Sequence, residues 1–358
     1  MKRLFFGAYL SLRKCHIEVS VAFSAFSAFS VFSATQTENR SELPIYIFKL
    51  HQTAPTGPEE MGIKDSEMNK TAEVLIEALP YIRRFYDRQI VIKYGGAAMD
   101  DDTLIHSVMQ DIVLMKYVGI RPIIVHGGGP RITAWMDRIG KVPEFVQGLR
   151  VTDAETVEIA EMVLGSINKE IVSRINQHGG KAIGLSGKDA NLVLAEQQET
   201  QVTDENGQKI DVDLGFVGKV IGVNTESITA LDKAGYIPVI TPIGVGVDGQ
   251  TYNINADTMA GEIASAFQAE KLIMLTDTRG ILRDLSDEAS LMSTIGLREV
   301  DEFITEGCIA GGMLPKVEAC TTALIGGVYK THIIDGRIPH SLLLEVFTEG
   351  GIGTEIVR

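Results

Sequence analysis

Glycine recurs in this chain next to side chains able to hold an anion, each time where a strand would end. Lys93 follows the β-branched run Ile90-Val91-Ile92 and leads into Tyr94-Gly95-Gly96. His126 follows Pro122-Ile123-Ile124-Val125 and opens His126-Gly127-Gly128-Gly129-Pro130. Lys316 closes Gly311-Gly312-Met313-Leu314-Pro315-Lys316. A turn without side chains lets the backbone approach phosphate oxygens, and the amides opening a following helix point at them. A lysine at a strand end is ordinarily a solvated exit residue, so the repetition carries the argument. Three consecutive glycines at a strand-helix junction are hard to explain as packing, because each weakens the chain unless the backbone needs positive φ or close approach to a ligand. His126 is open between a catalytic base and a histidine satisfied by hydrogen bonds near the loop.

Other residues extend this chemistry. Gly148-Leu149-Arg150-Val151-Thr152-Asp153 puts Arg150 in a loop just before a helix over 154–176, with Thr152 or Asp153 as N-cap. A guanidinium there suits bidentate capture of a carboxylate, with a surface salt bridge as the alternative. In Tyr252-Asn253-Ile254-Asn255-Ala256-Asp257 an extended stretch would project Asn253, Asn255 and Asp257 to one side. Alternating Asn and Asp also open an EF-hand loop, but the glycine and terminal glutamate of that loop are missing. Asp257 suits instead a buried carboxylate holding two lysines. The cysteines Cys15, Cys308 and Cys320 are too scattered for a disulfide framework or a CxxC metal site. No metal site is expected, and a reducing compartment is the default.

The scaffold reads as strands at 90–92, 122–125, 180–189, 220, 237–241, 271–275, 331–334 and 343–347. Helices are expected over 103–118, 154–176, 258–269 and 317–325, with an exposed hairpin region over 198–218. Strands alternating with helices predict an α/β fold with a mostly parallel sheet covered on both faces, its ligands at the strands' carboxyl ends. The glycine turns lie at those ends. No GxGxxG opens the fold and no GxxxxGK[ST] occurs, which speaks against dinucleotide and P-loop folds. Two distant lysines, several glycine turns, one arginine and a central aspartate favour phosphoryl transfer over hydride transfer. Ahead of the first strand, Ala72, Leu75, Ile76, Leu79, Ile82 and Phe85 recur at helical spacing, with Pro80 expected to kink the helix. That helix is either a packing strut or an oligomerisation arm.

With 358 residues, 45% of them hydrophobic, the chain can bury one large or two moderate cores. A net charge of -14 argues against a nucleic-acid surface, while a few lysines in a glycine-rich pocket still bind phosphate. No run from Met68 onward has the apolar length of a membrane span. Residues 1–67 differ in composition, with a basic, acid-poor start and the repeat Ala22-Phe23-Ser24-Ala25-Phe26-Ser27. They read as a transit peptide, an export signal or a region upstream of a true start at Met61 or Met68, export being the weakest because the chemistry needs ATP. Disorder and no part in catalysis are expected there.

Val91-Ile92-Lys93-Tyr94-Gly95-Gly96, the His126 to Gly129 loop, Gly148-Leu149-Arg150-Val151-Thr152, Asn253-Ile254-Asn255-Ala256-Asp257 and the Gly311 to Lys316 turn, taken in order, resemble the N-acetylglutamate kinases of the amino-acid kinase family. The resemblance runs from about Met68 to the C-terminus. It implies a three-layer αβα sandwich with a mostly parallel open sheet, and ATP-dependent phosphorylation of the side-chain carboxylate of N-acetyl-L-glutamate in arginine biosynthesis. Lys93 and Lys316 match the charge-neutralising lysines, Asp257 the acid that orients them, and Gly128, Gly129, Arg150 and Asn253 the acceptor site. Gly95, Gly96, Thr276, Asp277, Gly311 and Gly312 fall toward the nucleotide, with Mg²⁺ held largely by ATP phosphates and water. The division implied is an extension over 1–67, an oligomerisation helix over 68–88, an N-acetylglutamate lobe over 89–265 and an ATP lobe over 266–358.

The helix before Lys93 resembles that of arginine-inhibited hexamers, with Tyr81, Lys271 and Glu345 at the inhibitor site. A dimer or hexamer, a PII signalling protein as partner, and a cytoplasmic or plastid-stromal setting are further expectations. An aspartate, glutamate or uridylate kinase would share the glycine loops but differ at the Arg150 and Asn253 motifs. A catalytically inactive arginine sensor could dispense with the lysines.

Overall fold

In the computed structural model the described residues are 58–99, 101–203 and 209–358. Of the extension over 1–67, expected to be disordered and to carry any targeting role, residues 1–57 lie outside them, while 58–67 are helical. The chain then begins with α1 (Pro58–Phe85), which starts ahead of the expected 68 and runs unbroken through Pro80. Next come β1 (Gln89–Tyr94), α2 (Asp102–Tyr117), β2 (Arg121–His126) and α3 (Gly129–Arg138). A short hairpin, β3 (Phe145–Val146) and β4 (Leu149–Arg150), precedes α4 (Ala154–Gln177) and β5 (Ala182–Ser186). An antiparallel excursion follows through β6 (Val193–Gln197), β7 (Thr200–Thr203), β8 (Lys209–Val212) and β9 (Gly218–Val223). Then come α5 (Glu226–Lys233), β10 (Ile237–Thr241), β11 (Ile243–Val245), β12 (Thr251–Asn253), α6 (Ala256–Ala266) and β13 (Lys271–Thr276). The last part holds β14 (Thr294–Gly296), α7 (Val300–Thr305), α8 (Leu314–Ile325), β15 (Lys330–Asp335), α9 (Ser341–Phe347) and β16 (Thr354–Val357).

Eight strands form one sheet in the order β14-β16-β15-β13-β1-β2-β10-β5. It is parallel except where β16 runs antiparallel beside β15. Successive strand side chains face opposite sides of a sheet, and here both sides are apolar. Ile90, Ile92 and Tyr94 of β1 enter one core with α2 and α4, while Val91 enters the other with α6 and α8. β13 divides likewise, Ile273 and Leu275 against Leu272 and Met274. This is a three-layer sandwich, and burying β1 and β13 on both faces fixes the register of Lys93 beside Met274 and Val125.

Two sequence expectations fail. Residues 343–347 lie in helix α9 rather than a strand, with Leu342 and Val346, four apart, buried on one side. A short apolar run does not distinguish strand from helix until its partners are known. The last strand is β16, whose Thr354 and Ile356 point inward. The row Asn253, Asn255, Asp257 is not extended either, because β12 ends at Asn253 and α6 begins at Ala256. Among the described residues no helix is long and apolar enough to cross a membrane.

Candidate active site

Asp257 owes its position to helix capping. Asn255 is the N-cap of α6, its Oδ1 accepting from the backbone N–H of Asp257 at 2.8 Å and of Thr258 at 3.2 Å. Asp257 therefore stands in the first turn, where the helix dipole favours a negative charge. Lys316 occupies the first turn of α8, just after the Gly311–Met313 turn. Gly261 brings these helices together, since a Cβ there would lie 2.7 Å from the Ala319 carbonyl oxygen.

Lys93 Nζ sits 3.0 Å from Asp257 Oδ1, and Lys316 Nζ 2.9 Å from Oδ2. Lys93 comes from the end of β1, so one buried carboxylate fixes two ammonium groups carried by separate layers. Burial pushes the Asp257 carboxyl up, but the charges of Lys93 and Lys316 outweigh it and hold it below the usual carboxylate range.

Lys93 and Asp257 border a cavity that Arg150 and glycine loops also line, with Lys316 reaching it through Asp257. Gly95, Gly96, Gly128, Gly129 and Asn253 line it. A side chain at Gly128 would meet the tips of the buried Ile167 and Leu164 at 2.6 and 2.7 Å, so one could enter only if those side chains moved. Arg150 is 7% exposed and is no surface ion pair. Its Nη2 donates to the Gly129 carbonyl at 3.0 Å and to Thr133 Oγ1 at 2.8 Å, and Nη1 approaches Met136 Sδ at 3.3 Å. Phe145, opposite Arg150 in the hairpin, stacks on it at 4.6 Å. Burial lowers its pKa, yet a guanidinium stays charged, so this is a desolvated cation with no carboxylate partner among the described residues. Asn253 Nδ2 donates to Thr152 Oγ1 at 3.4 Å.

The other residues expected toward the nucleotide stand outside that lining. Thr276 ends β13, the neighbour of β1, and its hydroxyl donates to Asp277 Oδ1 at 3.1 Å. Gly311, at φ +53, and Gly312 form the exposed turn before α8. His126 is fully buried, donates from Nδ1 to the Gly127 carbonyl at 2.9 Å, and is pushed down to about 4 by burial. It is the hydrogen-bonded histidine of the two alternatives, since no base is free there.

Tyr81, Lys271 and Glu345 meet in a second cavity where α1, α9 and the starts of β13 and β15 converge. Glu345 Oε1 accepts from His332 Nδ1 at 2.7 Å and Oε2 from Ile352 N at 2.9 Å. Burial pushes Glu345 up, but the His332 hydrogen bond leads the opposing contacts that leave it below the ordinary value. Burial lowers Lys271. Arg84, Lys330, His332 and Glu355 also line this cavity and had no signal in the sequence, being scattered over α1, β15 and β16. Phe145 and Thr133 were missed at the first cavity for the same reason.

Among the described residues no cluster of three or more His, Cys, Asp or Glu could hold a metal ion. Asp257 is committed to its lysines, so this donor set fits an ion that arrives on a nucleotide rather than one caged by protein.

A sequence profile of the amino acid kinase family matches residues 88–335. The acetylglutamate kinase of Moorella thermoacetica is 59% identical over 293 residues, 82% of this chain and 98% of the relative. That of Methanocaldococcus jannaschii is 52% identical over 299 residues, 83% of this chain and all of the relative. Among solved structures, the N-acetylglutamate synthase of Neisseria gonorrhoeae with coenzyme A and N-acetyl-glutamate superposes with a TM-score of 0.68 at 26% identity. The match covers 80% of this chain and 63% of the synthase. The carbamate kinase of Giardia lamblia bound to AMP-PNP gives 0.54 at 16% identity over 75% of this chain and 98% of that one, a likeness of fold. The chain belongs to the amino acid kinase family, among its acetylglutamate kinases.

Proposed function

We propose that this chain transfers the γ-phosphoryl group of ATP to the γ-carboxylate of N-acetyl-L-glutamate, giving ADP and N-acetyl-L-glutamyl 5-phosphate. One observation carries the reading: a cavity lined both by Lys93, which shares the Asp257 carboxylate with Lys316, and by a buried Arg150 that has no carboxylate partner among the described residues. A dicarboxylic acceptor fits that polarity, its α-carboxylate toward Arg150 and its γ-carboxylate toward the lysines. An ionised carboxylate is already a nucleophile, so no general base is needed. The γ-carboxylate oxygen bonds to phosphorus as the bond to the β-phosphate oxygen breaks and ADP leaves.

What remains for the protein is positioning and charge stabilisation. Lys93 and Lys316 neutralise the transferring group, Asp257 keeps both pointed inward, and the Gly128 and Gly129 amides face the oxygens. Asn253 adds a side-chain donor beside the acceptor. Thr276, Asp277 and the Gly95, Gly96, Gly311 and Gly312 turns take the nucleotide, dividing the chain into an acceptor lobe over 89–265 and an ATP lobe over 266–358. Mg²⁺, bound to ATP, would offset phosphate charge.

An ATP-dependent hydroxylamine trap tests this. Hydroxamate should form with N-acetyl-L-glutamate and not with glutamate or aspartate. Product from the other acids alone would favour a different carboxylate kinase, and none at all the non-catalytic sensor.

The second cavity supports L-arginine as feedback inhibitor, with Glu345 for its guanidinium and Lys271 for its carboxylate. Val74, Leu75, Ile76 and Leu79 stand exposed on α1. That apolar exposure supports an oligomerisation arm, and so a dimer or hexamer, over a packing strut. A PII protein as partner and a cytoplasmic setting belong to the same reading.

A further inference from the structure

His126 and Asn168 form a buried relay that the reaction outlined above does not use. Asn168 of α4 is 1% exposed, and its Nδ2 donates to the Val239 carbonyl at 2.9 Å, which fixes the orientation of the amide. The same nitrogen lies 3.3 Å from His126 Nε2. An amide nitrogen only donates, so Nε2 must accept. The ring proton is then on Nδ1, which donates to the Gly127 carbonyl at 2.9 Å. Burial keeps the ring neutral down to about pH 4, as this arrangement requires. Room for the amide comes from Gly184, where a Cβ would lie 1.7 Å from Asn168 Oδ1. The charged group reaching the relay is Lys169, 3.5 Å from Asn168 Oδ1 and 3.3 Å from the Gly184 carbonyl.

The consequence lies one peptide further on. In a trans peptide the carbonyl and the next N–H point in opposite directions. With the Gly127 carbonyl turned back to His126, the Gly128 N–H faces away from the ring. Gly128 lines the first cavity, and among the described residues its N–H has no partner. We infer that His126, held by Asn168, is a positioning residue that aims the Gly128 amide at the reacting phosphoryl or carboxylate oxygens. The inference rests on the phosphoryl-transfer reading. It assigns His126 neither base nor ligand chemistry.

Two variants of similar size separate the two ring nitrogens. In His126→Asn the side-chain amide nitrogen takes the place of Nδ1 and can still donate to Gly127, whereas in His126→Gln it takes the place of Nε2. The expected result is a kcat near that of the unsubstituted chain for H126N and a loss of about 100-fold for H126Q, with KM for the acceptor little changed. Thermal midpoints are measured alongside. Equal activities, the reverse order, or a loss in H126Q matched by a fall in its midpoint below that of H126N would each overturn the assignment. Imidazole ¹⁵N shifts of the full chain give an arm independent of turnover. Protonated Nδ1 and bare Nε2 are expected, and the opposite tautomer would overturn the relay. If the full chain phosphorylates no carboxylic acceptor, the kinase reading fails while the nitrogen shifts still decide the relay.

Discussion

Gly261 on α6 faces the backbone of Ala319 on α8 so closely that a methyl group would sit 2.7 Å from its carbonyl oxygen and 3.1 Å from its Cα. The contact lies one turn beyond Asp257 and Lys316, so it sets the distance between the ends of two helices that share an ion pair. Gly261→Val should therefore lose activity beyond its effect on folding. Overpacking here is expected to cost about 1–3 kcal/mol. Urea unfolding reads that cost, and kcat should fall by at least tenfold in protein still folded.

The lysines should act on kcat. Lys93→Met and Lys316→Met each remove a charge that counts most when the phosphoryl group is in flight, and a loss of about 10²–10³ in kcat is expected from either. Because both lysines lean on Asp257, the double variant should lose less than the product of the single losses. A steady-state series measures this.

Arg150→Lys keeps a charge but loses the planar fork that Gly129, Thr133 and Phe145 hold in place. KM for N-acetyl-L-glutamate should rise at least tenfold with kcat changed much less, and KM for ATP should not move. Initial-rate measurements with each substrate varied distinguish these.

Glu345→Gln should abolish inhibition by arginine while leaving turnover without arginine intact. The carboxylate also accepts from His332 and Ile352, so the variant's thermal midpoint serves as the control. An unchanged arginine titration would remove Glu345 from the inhibitor site.

A pH dependence of stability is expected from Asp111, buried in α2 and bonded from the ring of His340. Burial pushes its carboxyl up to about 6, against the hydrogen bond from His340 and the backbone of Leu343 and Leu342. A raised carboxylate pKa means that the folded chain binds more protons than the unfolded one between about pH 4 and 6. Stability contributed there falls as pH rises and the loss is complete above 6. Asp111→Asn should thus gain on the unsubstituted chain between pH 4 and 6, by up to about 3 kcal/mol, and stay level above. Urea unfolding across that range is the measurement.

The strands carrying Lys93 and His126 were legible because both their faces are buried, and doubly buried strands are continuous apolar runs. The helices over 102–117 and 154–177 were legible to within a residue, the second from its N-cap signal as well, while the Asp101 cap of the first went unread. What failed was local ambiguity settled by tertiary contact. Leu342 to Val346 is equally apolar as strand or helix, and only the core beside α2 decides. Asn253 to Asp257 looked like an alternating row because a cap residue and a first-turn residue keep the same spacing as a strand. Thr133, Phe145 and Asn168 carry no signal at all. Each matters through a partner distant in the chain, and sequence order does not record that distance.

Lys271 opens β13 beside the second cavity, and Thr276, proposed above to take the nucleotide, closes it. Five residue steps in a strand span about 17 Å. With the nucleotide placed as proposed, ligands at the two ends are too far apart to touch, so an inhibitor in the second cavity would not exclude ATP by occupying its space. Its kinetic signature must be a change in apparent affinity or rate that saturates, rather than one that excess nucleotide abolishes by displacement.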